Sequence, residues 1–191
     1  MRLKVVFDSE KDISLPLSYS YPLQSAIYET LSSIIPDSHE NGLNVNGRVL
    51  KPFVFSRLAG QSKVIRDGSI SFTPPISLRF SSPLADYTQA FANGLLKKGS
   101  IQLIGTRLEL KSIEVEPELS KENYIRARTI SPVTVYSTLK TADGKKKTYF
   151  YNPAEKDFAL QLKENLNRKA IALGSSARSS DPFSFELKSK P

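Results

Sequence analysis

The sequence predicts an α+β protein made of two tandem ferredoxin-like units, the second incomplete. Three observations predict it. Short segments with strand alternation and segments with helical spacing succeed one another as β-α-β-β-α-β over residues 1–116. A linker, Pro117 to Lys121, follows. Residues 117–191 then repeat only part of the pattern, as β-β-α-β.

In the first unit, Leu3, Val5 and Phe7 alternate with polar neighbours and read as a strand over 2–7. A turn-rich stretch from Ser9 to Ser20 leads to Pro22, a suitable first helical residue. Leu23, Ile27, Leu31 and Ile34 form the buried stripe of that helix, which Pro36-Asp37 ends. Tyr28 lies about 100° round the helix from Ile27, flanking the core with its hydroxyl free to face a cleft. A polar loop runs from Asp37 to Gly47. A strand is expected at about 50–57, then a hairpin whose tip is Arg66-Asp67-Gly68-Ser69. Ile76 to Phe80 alternates again. Pro83 opens a second helix with the stripe Leu84, Tyr87, Phe91 and Leu95, stopped by Gly99. One strand over about 101–115 completes the unit.

In the second unit, Arg126 to Leu139 and Lys147 to Tyr151 read as strands joined by the tip Asp143-Gly144-Lys145-Lys146. Asn152, Pro153 and Glu155 suit the N-cap, first and third positions of a helix burying Phe158, Leu162, Leu166 and Ala170. Phe183 to Leu187 is the final strand.

Composition narrows the function. No apolar run approaches the roughly 18 residues needed to cross a bilayer. The N-terminus shows no secretory signal. A cytoplasmic protein without a membrane partner is the expectation. The chain contains no cysteine, which excludes disulfides, thiolate metal sites and cysteine nucleophiles. The carboxylates form no ligand-spaced cluster, so neither a metal nor another cofactor is expected. The formal net charge of +8 is uneven: residues 1–95 carry +1 and residues 96–191 carry +7. Such a distribution suits a polyanionic partner gripped by the second half.

His39 is the only histidine. Chemistry that needs a group titrating near neutrality must use this imidazole or do without. It sits in the polar turn Ser38-His39-Glu40-Asn41-Gly42, between Tyr28 and Lys51. A phenol, an imidazole and an ammonium suit metal-free RNA cleavage. A solvated loop histidine, a packing tyrosine and a surface lysine are the plainer alternatives. No Gly-x-Ser-x-Gly elbow exists for a serine hydrolase.

Several segments together carry a resemblance. They are the opening strand, Tyr21-Pro22-Leu23-Gln24-Ser25-Ala26-Ile27-Tyr28, His39-Glu40 with Gly42, Lys51-Pro52-Phe53-Val54-Phe55-Ser56, and Ser131-Pro132-Val133. In this order they cover nearly all of the chain, which resembles the CRISPR-associated endoribonuclease family Cas6 of the repeat-associated mysterious protein superfamily. The resemblance implies paired ferredoxin-like (RRM-like) domains. It also implies metal-independent cleavage of CRISPR precursor RNA within its repeats, leaving 2′,3′-cyclic phosphate and 5′-hydroxyl ends. The family's Tyr-His-Lys set falls on Tyr28, His39 and Lys51.

His39, with a reference pKa of about 6.5, suits a general base or acid. Lys51 suits charge neutralisation at the phosphorane, and Tyr28 a hydrogen-bond donor. Repeat RNA is the implied partner; other CRISPR-associated proteins and a second copy of the chain are further candidates. A catalytically inactive repeat-RNA-binding protein is the alternative. The family's glycine-rich C-terminal segment has no counterpart, since no Gly-x-Gly occurs among the nine glycines.

Candidate RNA-contacting residues are Lys145, Lys146 and Lys147 on the hairpin tip, Arg126 and Arg128 on one strand face, and Arg48 and Arg57 as cleft charges. Phe53 and Phe55 share a strand face, and core packing is the better reading of them.

Overall fold

The computed structural model describes residues 1–36, 42–45, 48–65, 67–117 and 133–174, with backbone alone at 43–45 and 48. The chain divides into two compact units: Met1–Leu43 with Val49–Ser120, and Asn44–Arg48 with Lys121–Pro191.

The first unit is built on β1 (Arg2–Asp8), whose Leu3, Val5 and Phe7 are sealed while the residues between them stay partly exposed. β2 (Ile13–Pro16) and α1 (Ser20–Ser32) follow. The short pair β3 (Leu43–Val45) and β4 (Arg48–Leu50) comes next along the chain, with its Asn44–Arg48 portion counted in the second unit; the first unit resumes with β5 (Val54–Phe55), β6 (Ala59–Val64) and β7 (Ser69–Ser81). α2 (Ala85–Lys98), β8 (Ser100–Leu103) and β9 (Thr106–Glu116) complete it. The sheet runs β2-β7-β1-β9-β8, with β5 and β6 also pairing with β7. Every described pairing is antiparallel. Through β1, β6, β7 and β9 the order is that of a ferredoxin-like sheet, with α1 and α2 as its crossovers.

One core forms between helices and sheet. Leu23, Ile27 and Leu31 of α1 and Phe91 and Leu95 of α2 join Leu3, Val5, Leu78, Phe80 and Leu108 of the strands. The helices approach closely at Gly94, where a Cβ would lie 2.6 Å from the Thr30 carbonyl oxygen. Only glycine leaves room for that backbone, and Thr30 turns its own hydroxyl back to Ala26 O at 2.8 Å.

Several expectations hold. α2 buries Tyr87, Phe91 and Leu95, and Gly99 ends it with φ 67° and an N–H bonded to Leu95 O at 2.8 Å. Asp67 and Gly68 close the β6–β7 hairpin, with Asp67 Oδ1 accepting from Ser69 N at 2.9 Å.

Others are corrected. α1 starts at Ser20 rather than Pro22, which sits inside the first turn, where a missing N–H costs nothing. Ile34 is 41% exposed because the helix ends at Ser32. The strand expected at 50–57 shrinks to Val54–Phe55. The single strand at 101–115 is the β8–β9 hairpin, turned at Ile104 (φ 50°) and Gly105 (φ 75°). β2 occupies part of the stretch read as turns.

In the second unit, β10 (Tyr136–Lys140) pairs with β11 (Lys146–Phe150), and α3 (Lys156–Ala172) follows. The helix begins later than Asn152 and Pro153 predict. Asn152 Oδ1 instead accepts from Ala154 N at 2.9 Å, and the Glu155 carboxylate accepts from Asn152 N at 3.0 Å and from the Tyr149 hydroxyl. The cap residues thus close a turn, and Glu155 itself becomes the N-cap. Of the expected stripe only Phe158 is buried; Leu166 is exposed. Arg126 to Ser131 and Phe183 to Leu187 lie outside the described residues.

The face of the first sheet turned away from the core carries ion pairs. Lys4 meets Glu114 at 3.1 Å, Lys111 meets Asp8 at 2.7 Å, and Glu116 takes both Arg79 (2.8 Å) and Arg2 (3.5 Å). The Arg79 hydrogen bond, reinforced by the charges of Arg79 and Arg2, holds Glu116 below its ordinary 4.5. A carboxylate lowered on folding stabilises above its unfolded pKa, and loses that contribution as pH falls through the folded value. Glu116→Gln is therefore expected to lower stability near neutral pH and to flatten its decline below pH 4.5. Urea unfolding at neutral and acidic pH checks this; an unchanged acid slope refutes it.

Candidate active site

Ile27 and Leu31 anchor α1 to the sheet, so Tyr28, one residue further round, sits at the rim of the core. It is more buried than its flanking position predicts, at 8% exposed. Its ring meets Phe53 edge-on, centroids 5.2 Å apart at 73°. Phe53 in turn stacks on Phe80 (5.3 Å) and Tyr87 (6.4 Å), and Phe80 stacks on Phe91 at 4.3 Å. An aromatic column thus runs from the core to the underside of Tyr28.

Lys51 precedes that column. Its ammonium lies over the Tyr28 ring, 5.8 Å from the centroid, a cation–π contact on a solvent-facing side chain. Lys51-Pro52-Phe53 belongs to no strand, yet the segment is pinned. Buried Ser82 donates its hydroxyl to Pro52 O at 2.5 Å, while Ser82 Oγ accepts from Leu84 N at 3.0 Å. The segment carrying Lys51 is thereby tied to the start of α2.

Burial pushes the Tyr28 phenol above its ordinary value of 10.0; a hydrogen bond with Gln24 opposes this and Tyr87 adds to it. Tyr28 therefore keeps its proton at neutral pH, and its hydroxyl is available as a hydrogen-bond donor. Phe53, read from the sequence as a core residue, is one, and it also supports Tyr28; Gln24 and Ser82 escape a sequence search for chemistry. Gln24 had a signal, lying four residues before Tyr28 on one helix face. Ser82, ahead of Pro83-Leu84, had the signal of a helix-start residue.

The structure brings together Tyr28 and Lys51. His39 lies outside the described residues, as do Arg126 and Arg128, and of Arg48 only the backbone is described. Arg57 packs over Tyr19, 5.9 Å from its centroid, and donates to Leu17 O at 3.4 Å. On the β10–β11 hairpin Lys145 pairs with Asp143 at 3.0 Å, and Lys146 and Lys147 are exposed on opposite faces. Among the described residues no cluster of three His, Cys, Asp or Glu suits a metal ion, and no helix is long and apolar enough to cross a membrane.

The family models place the chain. The model for the N-terminal part of CRISPR-associated protein Cas6 matches residues 14–114, and that for its C-terminal part matches residues 114–191. The chain belongs to the Cas6 family. It is similar to CRISPR-associated endoribonuclease Cas6 1 of Methanocaldococcus jannaschii, 30% identical over 170 residues and 88% of this chain. It is also similar to the CRISPR-associated endoribonuclease Cas6 of Pyrococcus furiosus, 28% identical over 166 residues and 86% of this chain. The chain spans 65% and 60% of these relatives' lengths.

Among solved structures, a CRISPR-associated protein Cas6 superposes with a TM-score of 0.68 at 28% identity, over 91% of this chain and 71% of that one. A Cas6-related protein from Pyrococcus furiosus (TM-score 0.70, 21% identity) and a RAMP protein described as binding different RNA substrates (0.71, 23%) share the fold. Each covers 92% of this chain, which spans 72% of either. The tandem ferredoxin-like architecture of the Cas6 family is therefore that of this chain.

Proposed function

We propose that this chain is a metal-independent endoribonuclease that processes CRISPR precursor RNA within its repeats, using Tyr28, His39 and Lys51. The observation that carries the reading is the seating of Lys51 over Tyr28, two residues that are 23 positions apart in sequence. Membership of the Cas6 family and the endoribonuclease names of two relatives support it.

In this mechanism the 2′-hydroxyl attacks the adjacent phosphorus and gives up its proton, and the bond to the 5′-oxygen breaks. That oxygen takes a proton and leaves as a 5′-hydroxyl, with a 2′,3′-cyclic phosphate on the other fragment. His39 serves as base or acid in these transfers. Lys51, held on a pinned segment, neutralises charge developing on the phosphorane. Tyr28 donates from its phenol. The Arg48, Arg57, Arg126, Arg128 and Lys145 to Lys147 side chains belong to this reading as phosphate contacts. So do domains divided as 1–116 and 117–191, a cytoplasmic location, CRISPR repeat RNA as substrate, and other CRISPR proteins or a second copy as partners.

Cleavage of candidate repeat RNA in excess chelator, with analysis of the product ends, tests the reading. Cyclic phosphate and 5′-hydroxyl ends are expected, and Lys51→Met is expected to slow cleavage by about a hundred-fold or more while barely moving thermal stability. Cleavage that requires a divalent ion, or yields 3′-hydroxyl ends, refutes the mechanism. Salt-sensitive binding with no product at all points to an inactive RNA-binding protein instead.

A further inference from the structure

The β10–β11 hairpin has two unlike faces. Register places Tyr136 opposite Phe150, Thr138 opposite Thr148, and Lys140 opposite Lys146, all on one face. On the other face the aromatic hydroxyls are engaged, Tyr151 donating to Ser137 Oγ at 3.1 Å and Tyr149 to the Glu155 carboxylate, while Leu139, Lys147 and Tyr149 stay exposed there as well. On the first face all six residues are exposed. Tyr136 and Phe150 lie side by side, centroids 5.6 Å apart at 50°, yet stay 59% and 63% exposed.

Two adjacent rings left in water, with lysines about 13 Å along the same strip, form a surface with an aromatic end and a cationic end. The hairpin's one acid, Asp143, is engaged by Lys145 and Thr141, which leaves Lys140 and Lys146 without a carboxylate from the hairpin.

We propose that this face is a platform for single-stranded RNA, with a base stacked on Tyr136 and Phe150 and the adjoining phosphates met by Lys140 and Lys146. The proposal rests on the reading of the chain as an RNA-processing protein, and adds to it where the strand is held. Charge complementarity selects a polyanion, and exposed ring faces select bases that are not already stacked in a duplex. A paired helix offers its phosphates to the lysines but hides its base faces from the rings.

The test titrates the full chain with labelled single-stranded repeat RNA, the same RNA annealed to its complement, and a series carrying one abasic site each. Tyr136→Leu/Phe150→Leu keeps apolar area while removing both ring faces, so folding is preserved. It is expected to weaken single-strand binding by about five-fold to a hundred-fold and leave duplex binding unchanged. One abasic position should cost the wild type a similar factor and cost the double variant nothing more. Lys140→Ala/Lys146→Ala should lower the salt slope by about 1.4, the value for two single-strand phosphates.

Single-strand binding unchanged in the leucine variant overturns the platform while RNA binding stands. Wild-type chain that binds no RNA overturns the processing reading and the platform with it. Loss of self-association in the leucine variant, with RNA affinity intact, assigns the face to a second copy and overturns the proposal.

Discussion

His39→Ala is expected to abolish site-specific cleavage of repeat RNA, with a loss of at least about a hundred-fold and up to ten-thousand-fold. The expectation follows from scarcity. The chain has one histidine and no cysteine. Tyr28 is pushed above its ordinary value of 10.0 by burial, so it holds its proton throughout the neutral range. If the 2′-hydroxyl is deprotonated by a side chain near neutrality, the imidazole is the group available to do it.

Single-turnover rates with RNA in excess of its Kd separate this loss from any loss of binding. The His39→Ala rate should be low while affinity changes little, and its rate should lose the pH dependence that the wild type shows near the imidazole's range. Unimpaired cutting by His39→Ala removes the assigned mechanism. Cutting lost only in proportion to affinity makes His39 a binding residue. Lys51→Met gives the complementary pattern: a slower rate with the wild-type pH profile preserved.

Elements that carry their own punctuation were legible in the sequence. α2 has Pro83 ahead of it, a regular apolar stripe and Gly99 behind, and it forms as the spacing predicts. The Asp67-Gly68 tip supplies positive φ at Gly68 and a side chain that closes the turn. The β8–β9 turn hid because isoleucine stands at its first central position, where asparagine or aspartate would announce it. β2 hid because four residues ending in proline look like a turn until β7 supplies the partner. At α3 the Asn-Pro-Ala-Glu signal was genuine chemistry put to another use. Tyr149 claims the Glu155 carboxylate, a contact no local pattern announces.

The candidate site divides the same way. Tyr28 was legible as a residue beside the buried stripe, and Lys51 as a cation ahead of an aromatic pair. That the two meet depends on Phe53 rising beneath Tyr28 and on Ser82 reaching across from the start of α2. Both are contacts between residues some 25 to 30 positions apart. Periodicity reports which face of one element is buried, not which neighbour lies against it.

Phe80→Ala is expected to destabilise the first unit by about 3–5 kcal/mol. Phe80 is fully buried in β7, opposite Leu3 of β1, with Phe53 stacked on one side and Phe91 on the other. Removing its ring opens a cavity between the sheet and α2, where neighbours on two strands and a helix have little freedom to collapse. A fall in Tm on the order of 10 °C follows for a unit of this size.

Phe53→Ala separates the core from the site. Phe53 is slightly exposed and lies outside any strand, so its loss should cost less, near the lower end of that range. Yet it supports Tyr28 directly and is next but one to Lys51. Phe53→Ala should therefore slow cleavage well below its Tm, whereas Phe80→Ala should leave the rate of its folded fraction close to that of the wild type. If Phe80→Ala slows the folded enzyme as much as Phe53→Ala does, the aromatic column acts as one rigid unit. Phe53 then has no separate role in placing Tyr28 against Lys51.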